Sequence, residues 1–123
     1  MSPETLIQHA CLAQKRAKAQ FSNYQVGAAL HIQNDIVILG CTIESKAYPT
    51  TLCAERVAIF SALAQGYDTF NALALVTSDG AYPCGSCRQI IHEFAKEIPI
   101  YISDGSKKHV IHTISELLPY PFG

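Results

Sequence analysis

Apolar residues recur along this chain with two different periods, and the alternation between them lays out its elements. Leu6, Ala10, Ala13 and Ala17 fall three or four residues apart, a narrow stripe of small side chains that predicts a helix seated closely on a sheet or a neighbour. Ser2 as N-cap, Pro3 in the first turn and Glu4 near the positive end of the dipole open this helix, and the pattern carries it to about Ala19. Lys15, Arg16 and Lys18 then form its solvated end, well placed against the C-terminal dipole. After a turn at Phe21-Ser22-Asn23-Tyr24, the runs Val26 to Ile32 and Ile36 to Leu39 are split by Gln33-Asn34-Asp35, which predicts a hairpin. Gly27 inside the first run marks a bulge or a place where another backbone or a ligand comes close.

Pro49-Thr50-Thr51 opens a second helix from about Leu52 to Gln65, with Gly66 as its stop. Its residues Val57, Ala58, Ile59, Phe60, Ala62, Leu63 and Ala64 are apolar nearly all round, as in a helix buried on more than one side, and this favours burial in an oligomer. Asn71 to Thr77 is a continuous apolar run suited to a central strand. A third helix is expected from Cys84 to about Ala95, with Ile90, Ile91 and Phe94 extending the stripe that begins at Cys87. Ile98 to Ile102 and Val110 to His112 read as two more strands around an Asp104-Gly105 turn, Pro99 marking an edge or a strand entry. Thr113-Ile114-Ser115-Glu116 is a capping box for a short helix, Ser115 to Leu118, stopped by Pro119. Helix, two strands, helix, strand, helix, two strands and a short helix make an α/β layered fold with a mixed five-stranded sheet.

Composition narrows the setting. The 123 residues suit a single domain spanning 1–123. No run approaches the ~20 apolar residues needed to cross a bilayer, and the N-terminus lacks a signal pattern, so a cytoplasmic protein is expected. A formal charge of −1 without a cluster of Lys or Arg gives no footprint for nucleic acid, and a small neutral substrate fits better. Five cysteines, three of them at metal-ligand spacing, point to a reducing compartment; Cys11 and Cys41 read as small buried hydrophobes.

The chemistry lies in Leu52-Cys53-Ala54-Glu55-Arg56 and Pro83-Cys84-Gly85-Ser86-Cys87-Arg88-Gln89. A C-x-x-C pair at a helix start puts Cys84 and Cys87 on one face, where one tetrahedral zinc ion can bind both, and Cys53 is the third ligand. The five histidines share no spacing with these thiols and read as structural or surface, so the fourth position is left for water, as in catalytic zinc sites. Zinc lowers the pKa of a bound water from about 15.7 to roughly 7, and Glu55, two residues from Cys53, is placed to shuttle its proton. On a regular helix those two positions diverge, so both reach one ion only from a frayed helix end. Arg56 and Arg88 are candidates for hydrogen bonding to sulfur and offsetting the net −1 of three thiolates with Zn²⁺. Gln89 belongs either to the structure or to the rim of the site.

The two segments resemble the zinc-dependent cytidine deaminases in their short-chain, homotetrameric form, and the resemblance extends from Phe21-Ser22-Asn23-Tyr24-Gln25-Val26-Gly27-Ala28-Ala29-Leu30 to the tail Tyr120-Pro121-Phe122-Gly123. It implies the three-layer α/β/α cytidine-deaminase-like fold, one zinc per subunit, and hydrolytic deamination of cytidine or 2′-deoxycytidine in pyrimidine salvage. Further implied are Glu55 as acid and base, Tyr24 against the pyrimidine, Thr42 and Glu44 at the ribose hydroxyls, Ala54 at the substrate, and Phe122 entering a neighbouring subunit's site. Thr42 departs from the family's Asn; a Thr hydroxyl is shorter and offers one donor where the amide offers two. Two other readings therefore stand beside this one. One is a deaminase of a modified cytosine nucleoside such as blasticidin S; the other is a non-catalytic, zinc-stapled interaction module with Cys41 closing the fourth position.

Overall fold

The computed structural model describes residues 1–123. Helix α1 (Pro3–Gln14) precedes strands β1 (Gly27–Gln33) and β2 (Ile36–Cys41), followed by helix α2 (Ala54–Ala64) and strand β3 (Ala72–Val76). Helix α3 (Gly85–Ile90) comes next, then β4 (Ile100–Ser103), β5 (His109–His112) and α4 (Ile114–Leu117). The five strands form one sheet in the order β2-β1-β3-β4-β5. Only β3 and β4 run parallel, as a mixed sheet requires.

Strand periodicity distributes side chains to the two faces. Ala29 of β1 and Ala72, Ala74 and Val76 of β3 meet Leu6, Ile7 and Ala10 of α1 on one face. On the other, Ala28, Leu30, Ile32, Leu73, Ile100 and Ile102 pack with Ala54, Ala58, Ile59 and Ala62 of α2 and with Ile91 and Ile114. Helices thus cover both faces, and all five residues of β3 are buried, which is why that strand reads as an unbroken apolar run.

Two strand glycines bring the helices in. A methyl on Gly27 would collide with the Ala10 carbonyl and the Gln14 backbone of α1; one on Gly40 would collide with the Ala54 carbonyl and the Ala58 nitrogen of α2. Gly27 is therefore a site of close approach, and the register shift lies elsewhere, between His31 and Gln33. Gly27→Ala is expected to destabilise the fold by about 3 kcal/mol or more, because backbone atoms on both sides must move; a denaturant titration checks it.

Several element ends differ from the sequence expectation, each because a distant segment captures the backbone. α1 stops at Gln14 rather than near Ala19, since the Lys18 N–H donates to the Thr42 carbonyl (2.8 Å) and the Lys18 carbonyl accepts from the Glu44 N–H (2.8 Å). α2 begins at Ala54 rather than Leu52, because Leu52 pairs in both directions with Ile43 (3.0 and 3.1 Å). The third helix widens into a π-helical turn over Ile91–Ala95 and ends at Lys96, whose φ is 63°. β4 starts at Ile100, so Pro99 marks a strand entry; β4 lies inside the sheet between β3 and β5. The Ser2 cap, the Gly66 stop (φ 94°) and the Thr113/Glu116 capping box form as expected.

Candidate active site

One end of the sheet gathers the chemistry. β3 ends there, β1 begins there and β2 ends there, since Gly27 pairs with both Val76 and Cys41. Immediately beyond those strand ends lie Tyr24 and Val26, Thr42 and Glu44, and Thr77 and Ala81, all lining one cavity of about 230 Å³ with Cys53, Glu55 and Cys84. That volume lies below the ~300–1,000 Å³ usual for drug-sized ligands, which fits a small substrate. A larger open groove of about 630 Å³ runs beside β4 and β5, but it contains no thiol and is not where the reactive groups meet.

Cys53 and Cys84 are the N-caps of α2 and α3, both with extended backbone (ψ 153° and 168°). Cys53 therefore stands just outside the first turn, and this non-helical residue lets it and Glu55 face one place although they are two positions apart. The Ile43–Leu52 pairing holds Cys53 from one side, and the Thr42 N–H bond to the Val26 carbonyl (3.1 Å) ties that segment to the start of β1. Cys87, one turn into α3, is fully buried.

The Cys53 and Cys84 sulfurs are 3.8 Å apart, and the three sulfurs lie within 4.8 Å of one another. Zinc–sulfur bonds of ~2.3 Å in a tetrahedron place sulfurs about 3.8 Å apart, so the trio fits one zinc ion. A hydrogen bond from Cys87 is the main influence lowering the Cys53 thiol to about 5, helped by the Arg56 guanidinium, which donates to the Cys53 sulfur at 3.4 Å. That same hydrogen bond, followed by burial and the negative groups around it, pushes Cys87 upward. Cys53 is thus readied as a thiolate ligand. Cys41, the closing ligand expected of a non-catalytic staple, stands outside the trio as a free, half-buried thiol.

Glu55 is 3% exposed. Burial lifts its carboxyl to about 7, and the Cys53 charge adds to the lift. Opposite, the Tyr24 hydroxyl donates to Asp79 at 2.6 Å, while Asp79 also accepts from the Thr77 hydroxyl and the Ala81 N–H (3.2 Å each). Tyr24 is thereby braced against the loop that leads to Cys84. Glu44 is already engaged: it accepts from the Phe21 N–H (2.8 Å), the Ser22 N–H (3.2 Å) and the Ser22 hydroxyl. The Ser22 hydroxyl chiefly holds the Glu44 carboxyl below its ordinary value. Thr42 is 8% exposed, and its hydroxyl has no partner within the chain.

Ala54, Arg88 and Phe122 stand away from the cavity wall of their own chain. Ala54 is fully buried, its carbonyl turned against Gly40 of β2, and it does not line the cavity. Arg88 makes no hydrogen bond to sulfur; its guanidinium donates to the Pro83 and Leu117 carbonyls (2.7 Å each), joining the Cys84 segment to α4. Phe122 lies outside its own chain's cavity, with 84% exposure. Sequence reasoning missed Ser22 and Thr77, which line the cavity, and Asp79, which anchors Tyr24 there. All three flank segments already singled out; the partners Glu44 of Ser22 and Tyr24 of Asp79 are distant in sequence, while Thr77 bonds to Asp79 and Ala81 close by.

Residues 1–102 match the family described as the cytidine and deoxycytidylate deaminase zinc-binding region. The chain is 39% identical to a cytidine deaminase of Sporosarcina psychrophila, over 99% of this chain and 92% of that one. It is 32% identical to a blasticidin-S deaminase of Bacillus cereus, over 82% and 79%. The crystal structure of cytidine deaminase from Burkholderia pseudomallei superposes with a TM-score of 0.93 at 37% identity, covering 99% of this chain and all of that one. With the paired N-caps, the sulfur trio and the buried carboxyl in place, the chain belongs to the cytidine and deoxycytidylate deaminase zinc-binding family.

Proposed function

We infer that this chain catalyses hydrolytic deamination of cytidine and 2′-deoxycytidine. Water supplies the new C4 oxygen, the C4–amine bond breaks, and ammonia and the uracil nucleoside leave. The observation that carries this reading is Glu55, a carboxyl buried to 3% exposure in the same cavity as two of the three clustered thiols. Zinc held by Cys53, Cys84 and Cys87 supplies the Lewis acidity that makes a water acidic near neutral pH. Glu55 takes a proton from the attacking water, delivers it to the pyrimidine N3 and then assists the departing amine, the role a non-ligand Glu has in zinc deaminases as a class. Burial raises the Glu55 carboxyl in the metal-free chain, the direction that favours a group able to give back a proton as well as take one. Arg56, through its bond to the Cys53 sulfur, offsets part of the thiolate charge.

The cavity lining supports a nucleoside over a nucleotide. It contains Glu44 and Glu55 and neither Lys nor Arg, so a phosphate ester would meet like charge with no cation to receive it. Tyr24, fixed by Asp79, offers a ring wall to the pyrimidine. The unpartnered Thr42 hydroxyl and the remaining capacity of Glu44 face the sugar. Self-association is part of this reading. α2 leaves Phe60 exposed and Val57 and Leu63 incompletely covered, which suits a homotetramer with each Phe122 reaching a neighbour's cavity. Free thiols at the site suit a reducing cytoplasm and a place in pyrimidine salvage.

Thr42 favours one second reading within the same chemistry, a modified cytosine nucleoside such as blasticidin S, and the Bacillus cereus relative adds to it. Zinc-loaded protein assayed spectrophotometrically with cytidine, 2′-deoxycytidine and blasticidin S separates the two. Cytidine and deoxycytidine are expected to turn over with the higher kcat/KM. Turnover of blasticidin S alone would replace the first reading with the second, and turnover of none would refute both.

A further inference from the structure

The end of the chain hangs from the helix that carries two of the thiols. Gln89 of α3 accepts a hydrogen bond from the Phe122 N–H (3.0 Å) and donates one to the Phe122 carbonyl (2.8 Å). This is the two-point pairing that one strand residue offers another. One helical position earlier, Arg88 holds the Leu117 carbonyl, and one turn later His92 Nε2 lies 3.4 Å from the Gly123 carbonyl. Pro119 and Pro121 restrict the backbone on either side of Tyr120. The terminus is therefore fixed by its backbone while its rings are left bare, Phe122 at 84% exposure and Tyr120 at 93%.

Chain ends fray unless something ties them down, and ordering one costs conformational entropy. Here no ring burial within the chain offsets that cost, so the fixed geometry serves contacts outside it. The ring cannot serve its own cavity, because the clamp holds it on α3 and it is absent from that lining. In a second copy, the corresponding cavity is lined by Tyr82, an exposed aromatic. The geometry points to Gln89 as the positioning residue for Phe122, holding its ring where a second copy of this chain receives it at the cavity. This rests on the proposed deaminase reading with Phe122 supplied between subunits. Through Gln89, the helix whose start presents Cys84 and Cys87 to one cavity also sets the wall of another.

The test uses the zinc-loaded protein with Gln89→Leu, Phe122→Ala and the double variant. Gln89→Leu is expected to raise KM for cytidine about tenfold with kcat and zinc content within about twofold of wild type. Carboxypeptidase should release Phe122 from it about tenfold faster than from wild type, a readout that does not involve turnover. Phe122→Ala should raise KM at least as much, and the double variant should be no worse than Phe122→Ala alone. A KM raised by Phe122→Ala but untouched by Gln89→Leu overturns the positioning role and leaves the intersubunit ring standing. Unchanged KM in Phe122→Ala removes that ring and the inference with it. Multiplying effects in the double variant also overturn it, since Gln89 would then act by another route. If Gln89→Leu does not fold, Gln89→Glu, which keeps the acceptor but loses the donor, carries the test: faster release of Phe122 supports the role and unchanged release overturns it.

Discussion

Glu55→Gln is expected to leave one zinc per chain in place and lower kcat by about 10²–10⁴-fold, the usual range for a positioned acid or base. Gln is nearly the same shape and is neutral, so it fits a site in which the carboxyl is 3% exposed, but it cannot take up a proton and hand it on. Zinc analysis by mass spectrometry and turnover on cytidine are read from one preparation. Full activity with zinc retained would remove Glu55 from the mechanism. Stability gives an independent check in the metal-free protein, where the folded carboxyl titrates at about 7 against an ordinary 4.5. Between those values the folded state binds more protons than the unfolded chain, so the carboxyl makes stability fall as pH rises from about 4.5 to about 7. Glu55→Gln lacks that contribution. Relative to wild type it should gain on the order of 3 kcal/mol by about pH 8 and nothing near pH 4, as measured by denaturant unfolding.

Cys87→Ala is expected to abolish both metal and turnover. Cys87 is the buried member of the trio, and the two remaining thiols belong to caps of different helices, so no neighbouring donor is positioned to replace it. Zinc content should fall from about one per chain to below a tenth. With free zinc near 1,000 times the wild-type dissociation constant, the lost linkage amounts to about 4 kcal/mol, visible as a lowered Tm that added zinc no longer raises. A variant that kept zinc at full stoichiometry would show that Cys87 is not a ligand.

The difference between what could and could not be read from the chain follows the range of the interactions. Glu55 beside Cys53, the Cys84/Cys87 pair, the Ser2 cap and the Thr113/Glu116 capping box are short-range patterns, and their local geometry formed as the spacing implies. The end of α1 was not legible, because Lys18 is captured by Thr42 and Glu44, more than twenty residues away. Arg88 carries the same charge as Arg56 and sits equally close to a thiol motif. Its partners are the Pro83 and Leu117 carbonyls, the second 29 residues distant, and nothing beside Arg88 in sequence signals that bond. Glu44 and Tyr24 both line the cavity. That each is braced, by Ser22 and by Asp79, depends on loops meeting only in the folded sheet.

Gly40 does not line the cavity, yet it sets the distance between β2 and the first turn of α2, where Glu55 stands. Adding a methyl there would lever the helix outward, and displacement of a reacting group by about 1 Å can cost 10²-fold in rate. Replacing glycine by alanine is a common route to thermostability, since it narrows the unfolded ensemble. At this position the same substitution would strain the fold as Gly27→Ala does and also act as a dimmer on the reaction, its proton relay drifting out of reach.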